Sequence, residues 1–186
     1  STDSPHVVMR LNVGMTYVLR ETLSPAGYTI ANDVEFTVLD TGDVQRIEMR
    51  NDLTCVEIRK TDKSTGDALE GVEFQIYDKD RNAQRFVCDE ALRAHVREDR
   101  EDAGHSTGLV TDVDGVIRIY GLPIGEYELV ETKESPGYRR VLEPIVFTVE
   151  SKSDDTAPVV IDLKNELNEV TLEKTNLVTG TPVEGA

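Results

Sequence analysis

Three polar residues stand in this sequence where the strand pattern calls for apolar ones. Successive side chains of a β-strand point to opposite faces. Val56, Ile58 and Lys60 therefore share one face, while Glu57, Arg59 and Thr61 take the other. The same phase carries Tyr127 and Leu129 to Glu131, and Ile161 and Leu163 to Asn165. The inward faces of three strands thus end in a lysine, a glutamate and an asparagine. A lone inward lysine would be read as a strand-end residue whose ammonium snorkels to solvent. Recurrence argues against that here: Tyr17 and Leu19 lead to Glu21, Ile47 and Met49 to Asn51, and Val170 and Leu172 to Lys174.

These residue types together support one reaction. A lysine placed in an apolar core loses hydration, so its neutral amine becomes available as a nucleophile. A buried glutamic acid is favoured in its neutral form by the same desolvation. It can then donate to the asparagine carbonyl, polarise it and shuttle protons as ammonia leaves. A fold that holds the groups together makes a slow amidation unimolecular. The expected product is a Lys60–Asn165 amide between the first and last strands of a domain, with Glu131 as the acid. It would close a loop of 105 residues, worth about 4.7 kcal/mol by the loop-entropy account of cross-links. Such a bond would also carry a pulling force past the strands between.

The elements that must position these groups come in repeats. Gly14–Tyr28 (GMTYVLRETLSPAGY) matches Gly125–Tyr138 (GEYELVETKESPGY). Each is followed by an alternating apolar stretch, Val34–Val38 (VEFTV) and Ile145–Val149 (IVFTV). Each copy then closes on a strand ending in asparagine, Ile47–Asn51 and Ile161–Asn165. A second shared block follows, Val56–Gly71 (VEIRKTDKSTGDALEG) and Val170–Gly185 (VTLEKTNLVTGTPVEG). Asn51 and Asn165 lie 114 positions apart, as do Lys60 and Lys174, whereas Glu21 and Glu131 lie 110 apart. The expected frame is the C-terminal part of one domain over 1–51, a complete domain over 52–166, and the first strand of a third over 167–186. Glu21 and Asn51 would be the acid and acceptor of the first, and Lys174 the nucleophile of the third.

Short period-two segments bounded by Gly, Pro, Asp and Asn predict an all-β sandwich or barrel. Val72–Tyr77 and Val116–Tyr120 read as strands, Thr111–Gly115 (TDVDG) as a turn, and Ser135–Tyr138 as a type II turn. Ser1–Arg10 reads as a turn and a strand rather than a signal peptide, so export and anchoring signals are expected outside the segment. Cys88–Asp102 places Leu92 and Val96 four apart among helix formers, which predicts a short surface helix inside an insertion over 81–106. Asp112 and Asp114 lack the later ligands of a calcium loop, so a turn is expected there. His95, Asp99, Asp102 and His105 could meet around a metal, but a solvated charged face is the expectation. Cys55 and Cys88 have no metal-ligand spacing and read as a disulfide or as free thiols, one at a strand edge and one in a loop.

The chain has 186 residues, 38% hydrophobic, with 20 basic and 36 acidic side chains for a net charge of −16. Such a surface repels phosphate backbones and anionic lipid headgroups, which argues against nucleic-acid and membrane partners. No apolar run approaches the roughly 18 residues of a membrane helix. No GxSxG, P-loop or HExxH motif occurs, so no cofactor and no turnover on an external substrate are expected.

The ordered set VEIRKTD, TGDALEGVEFQIYD, TDVDGVIRIYGLPIGEYELVETKESPGY and IDLKN resembles the Cna B-type domain. This is the SpaA-like, prealbumin-like repeat of Gram-positive adhesins and sortase-assembled pilins. The resemblance covers the chain apart from Arg81–Ser106. It implies tandem prealbumin-like, Ig-like β-sandwich domains on a cell surface, anchored to the wall beyond this segment. The family's linked lysine and asparagine close the first and last strands, and its acid is the glutamate of the ETxxSPxGY block. Those positions are Lys60, Asn165 and Glu131, the residues that strand phase selects independently. The implied role is a stalk or pilus shaft, with neighbouring domains and other pilin subunits as partners. The alternative is an adhesin module that grips a host matrix protein or glycan through the insertion or a sandwich edge.

Overall fold

The computed structural model describes residues 6–98, 104–179, 181 and 183. Eleven strands follow one another: β1 (Thr16–Leu19), β2 (Val34–Thr37), β3 (Cys55–Asp62), β4 (Glu73–Asp78), β5 (Phe86–Asp89), β6 (Ala94–Arg97), β7 (Leu109–Val110), β8 (Val116–Tyr120), β9 (Gly125–Lys133), β10 (Ile145–Val149) and β11 (Val159–Asn165). β1 and β2 pair with each other. The remaining strands form a four-stranded sheet, β10-β9-β4-β7, and a five-stranded sheet, β11-β3-β8-β6-β5.

The alternation read in the sequence decides which faces meet. Phe74 and Ile76 of β4, Tyr127 and Leu129 of β9, and Phe147 and Val149 of β10 turn inward from one sheet. They meet Val56 and Ile58 of β3, Ile117 and Ile119 of β8, and Ile161 and Leu163 of β11 from the other. Tyr127 and Phe147 stack with ring centroids 5.6 Å apart. Each such side chain stabilises the sandwich by about 1.5–3 kcal/mol relative to exposure. The first and last strands of this unit, β3 and β11, lie side by side and parallel, from Val159↔Val56 to Asn165↔Asp62.

The segment read as a helix is a hairpin. β5 and β6 pair antiparallel from Phe86↔Arg97 to Asp89↔Ala94, and no described residue is helical. The Asp89 carboxylate accepts from the amides of Ala91 and Leu92 at 2.9 and 3.1 Å, which turns the chain straight after β5. Phe86 then enters the core and Ala94 is buried, while Leu92 at the tip is 53% exposed. Burial of Phe86 outweighs a weak helix propensity. Residues 99–102 of the expected helix lie outside the described residues. β6 joins β8 in parallel, so the insertion widens the sheet instead of decorating it.

Three further expected strands, over residues 6–10, Ile47–Asn51 and 170–174, form no ladder among the described residues. In the sandwich, β3 is the one strand paired with β11 among the described residues. Ile47–Asn51 is the counterpart of β11, and no lysine strand lies beside it among the described residues. Cys55, on β3, is buried and Cys88, on β5, is exposed; both are free thiols on strands.

A buried lysine, glutamate and asparagine

The two sheets deliver the three polar side chains to one end of the core. Lys60 on β3 and Asn165 on β11 come from the five-stranded sheet, and Glu131 on β9 faces them from the other. Lys60 is 0% exposed, Glu131 3% and Asn165 1%. Glu131 bridges the pair with its two oxygens. Lys60 Nζ donates to Oε2 at 2.7 Å and Asn165 Nδ2 donates to Oε1 at 2.8 Å. Asn165 Oδ1 is buried and accepts no hydrogen bond.

Burial pushes the Lys60 ammonium below its ordinary value of 10.5, while the hydrogen bond and charge of Glu131 pull the other way. Phe74, paired with Glu131 across β4 and β9, sets its ring 5.6 Å from Nζ. It keeps water out and offers the cation only a weak π-face.

The backbone of Lys60 is pinned from the turn before β8. Its amide donates to Gly115 O at 2.8 Å and its carbonyl accepts from Leu69 N at 3.0 Å. Gly115 has φ +72°, and a Cβ there would lie 2.4 Å from Lys60 O. Only glycine fits both demands. Asp62 closes the same strand: its carboxylate accepts from Ser64 N and Thr65 N at 2.6 and 2.7 Å. Those amides, with the Tyr138 hydroxyl, hold it below the usual carboxylate range. Strand phase had not singled out Gly115, Phe74 or Asp62. The glycine of TDVDG and the alternation of VEFQI were the available signals. Glu57, expected to face solvent, is buried, with Arg59 at 2.7 Å and Arg118 at 2.5 Å on its carboxylate.

The other candidates fall into place differently. Glu21 and Asn51 meet: Asn51 Nδ2 donates to Glu21 Oε2 at 2.5 Å and to Thr29 O at 2.8 Å. Ala31 N also donates to Glu21 Oε2, at 2.7 Å. Both residues of this dyad are half-buried. Lys174 is exposed, yet the turn after it copies the one after Lys60. Val183 N donates to Lys174 O, and Asn176 Oδ1 accepts from Val178 N and Thr179 N. Asp112 spends its carboxylate on the amides of Asp114 and Val116 at 3.0 and 2.9 Å, which makes TDVDG a turn. His95 lies on β6, where burial lowers its basicity; Asp99 and Asp102 lie outside the described residues. No group of three or more metal-ligating side chains occurs among the described residues.

Residues 54–166 match the SpaA family, described as a prealbumin-like fold domain. The chain belongs to this family. No curated protein matches it. Among solved structures, GBS52, the minor pilin of the Gram-positive pathogen Streptococcus agalactiae, aligns with TM-score 0.52 at 23% identity. That alignment covers 78% of this chain and 57% of GBS52. The shaft pilin SpaA of Lactobacillus rhamnosus GG, in a mutant form, aligns with TM-score 0.50 at 17% identity, over 84% of this chain and 64% of the pilin. The likeness of this SpaA-type domain to both is one of fold, and the chain spans less than two thirds of either.

Proposed function

We propose that this chain is part of a structural stalk or pilus shaft on a Gram-positive cell surface, with residues 52–166 a complete domain that cross-links itself between Lys60 and Asn165. One observation carries the reading: both nitrogens sit on the two oxygens of one carboxylate, in a site closed to water. Transfer of a proton from Lys60 Nζ to Glu131 removes two buried charges and leaves an amine beside a carboxylic acid. A half-turn of the Asn165 amide gives its unpartnered Oδ1 to that acid. Nζ then attacks Cγ, the Cγ–Nδ2 bond breaks, and Glu131 passes protons to the leaving ammonia. The enzyme-like step happens once and needs no cofactor. Residues 1–51 and 167–186 are parts of neighbouring domains, with Glu21 and Asn51 the acid and acceptor of one and Lys174 the nucleophile of the other. The family match and the likeness to pilin folds support a location outside the cell, with neighbouring domains and other pilin subunits as partners.

An accurate intact mass tests this. The chain should weigh one ammonia less than its sequence, about 17 Da, and Glu131→Ala should restore the full mass. A wild-type chain at full mass overturns the cross-link. A binding role for the insertion is separable from the stalk. Deleting it would remove Phe86 from the core, so the exposed tip, residues 90–93, should instead be replaced by glycines and serines. A stalk keeps its host-cell behaviour unchanged by that replacement, whereas an adhesin loses attachment.

A further inference from the structure

Two motifs of the sequence have no part in the cross-link: the Ser-Pro turns, Ser24–Tyr28 and Ser135–Tyr138, and the Gly121-Leu122-Pro123 turn. The two Ser-Pro turns behave alike toward the chain that leaves their own repeat. Thr29 N donates to Asp52 O and Thr54 N to Gly27 O; in the second copy Arg139 N donates to Glu166 O and Asn168 N to Gly137 O. Tyr28↔Leu53 and Tyr138↔Leu167 form matching antiparallel bridges. The difference lies on the other side of the glycine. A Cβ on Gly27 would lie 2.5 Å from Gly121 O, whereas one on Gly137 would meet nothing within 4 Å.

From this we infer that the Gly27–Asn32 edge and the Gly121–Leu122 turn with the Ser151–Ser153 loop form a fixed joint, setting the angle between residues 6–53 and the sandwich that follows. Thr54 is its pivot. It is 1% exposed, its hydroxyl donates to Leu122 O at 2.6 Å with Gly27 O at 3.3 Å, and its carbonyl accepts from Gly121 N at 3.0 Å. The loop supplies a second line of contacts. Ile30 N donates to Ser151 O at 2.9 Å, and the loop is itself held to β3 by Cys55 N, which donates to Ser153 O at 2.7 Å. Lys152 Nζ donates to Ile30 O and Asn32 Oδ1 at 3.0 and 2.9 Å. Bonds on both flanks of a linker this short leave no torsion free to act as a hinge. The joint requires glycine at position 27 twice over, for φ +82° and for the approach to Gly121.

The joint does not depend on the cross-link, and its test keeps the two apart. Cys88 is exposed and Cys55 buried, so Glu35→Cys in the full chain gives a spin-label pair spanning the joint. The expected wild-type result is one narrow distance distribution, with the amides of Ile30 and Thr54, which bond across the joint, exchanging at least about a hundredfold slower than free amides. Gly27→Val should broaden the distribution and release those amides while the melting of the 54–166 unit stays unchanged. Lys152→Ala and Thr54→Val, which leave both turns intact, should broaden it less. A broad wild-type distribution overturns the joint. So does a narrow one that survives Gly27→Val, or fast exchange at both amides. The ammonia deficit in the intact mass is unaffected in every variant.

Discussion

The Lys60–Glu131–Asn165 site and the Glu21–Asn51 pair are built from the same strand ends, yet one is sealed and the other half open. In both, an asparagine Nδ2 donates to a glutamate carboxylate, at 2.8 Å in the first and 2.5 Å in the second. What differs is the other half of the carboxylate's work. Glu131 gives its second oxygen to Lys60, while Glu21 uses a single oxygen for Asn51 and for the amide of Ala31. The acid–amide contact therefore forms without a lysine. In the sandwich β11 lies beside β3, which carries the lysine, and the described residues place no such strand beside Ile47–Asn51. Burial, not the acid–amide contact itself, is what distinguishes the two sites.

That contrast can be broken most severely at Glu131. Glu131→Ala should leave Lys60 buried without its partner and abolish the cross-link. Loss of about 4.7 kcal/mol of loop constraint implies a fall in Tm on the order of 20 °C by calorimetry. A fall of only a few degrees would show that the bond contributes little. Phe74→Ala comes next. It should destabilise by about 3–5 kcal/mol in urea titrations, and the water it admits beside Nζ should slow ammonia loss followed by mass. Unchanged kinetics would remove Phe74 from the site's chemistry.

A subtler effect separates amine from amide. Asn165→Ala keeps the Lys60 amine and removes its acceptor. Burial holds that amine below 10.5 in the folded chain, so between its folded and unfolded values the unfolded chain binds more protons. Stability of the variant should therefore rise with pH up to about 10.5, relative to a wild type cross-linked as proposed, whose amide would not titrate. Parallel pH profiles of the urea midpoint would refute this. The smallest effect belongs to the open pair. Glu21→Ala should cost about 1 kcal/mol locally and leave the ammonia deficit untouched; a change in that deficit would couple the two sites.

Strand phase brought the three buried residues to light because a period of two leaves little room for error: one slip would turn Lys60 to solvent. The same reasoning placed β8 and β10 at their observed bounds. It failed at Cys88–Asp102, where helix-forming side chains hid a hairpin whose stop signal was a single carboxylate, Asp89. It also passed over Gly115, because the pinning of Lys60 depends on two turns meeting in space, and the sequence shows only one at a time. The joint at Gly27 was hidden for the same reason. Its partner Gly121 is nearly a hundred residues away, and the backbone groups that bind there carry no side-chain signature.

The parallel pairing of β3 with β11 has a mechanical consequence. Tension along the chain enters this unit at Cys55, the start of β3, and leaves at Asn165, the end of β11. Those points lie at opposite ends of one ladder of hydrogen bonds, so the two strands are drawn past each other in shear. The bonds between them then share the load at once, where an antiparallel pair pulled from one end would open like a zipper, one bond at a time. The registry from Val56 to Asp62 acts as a single fastening, and a Lys60–Asn165 bond at its far end would lock it against sliding.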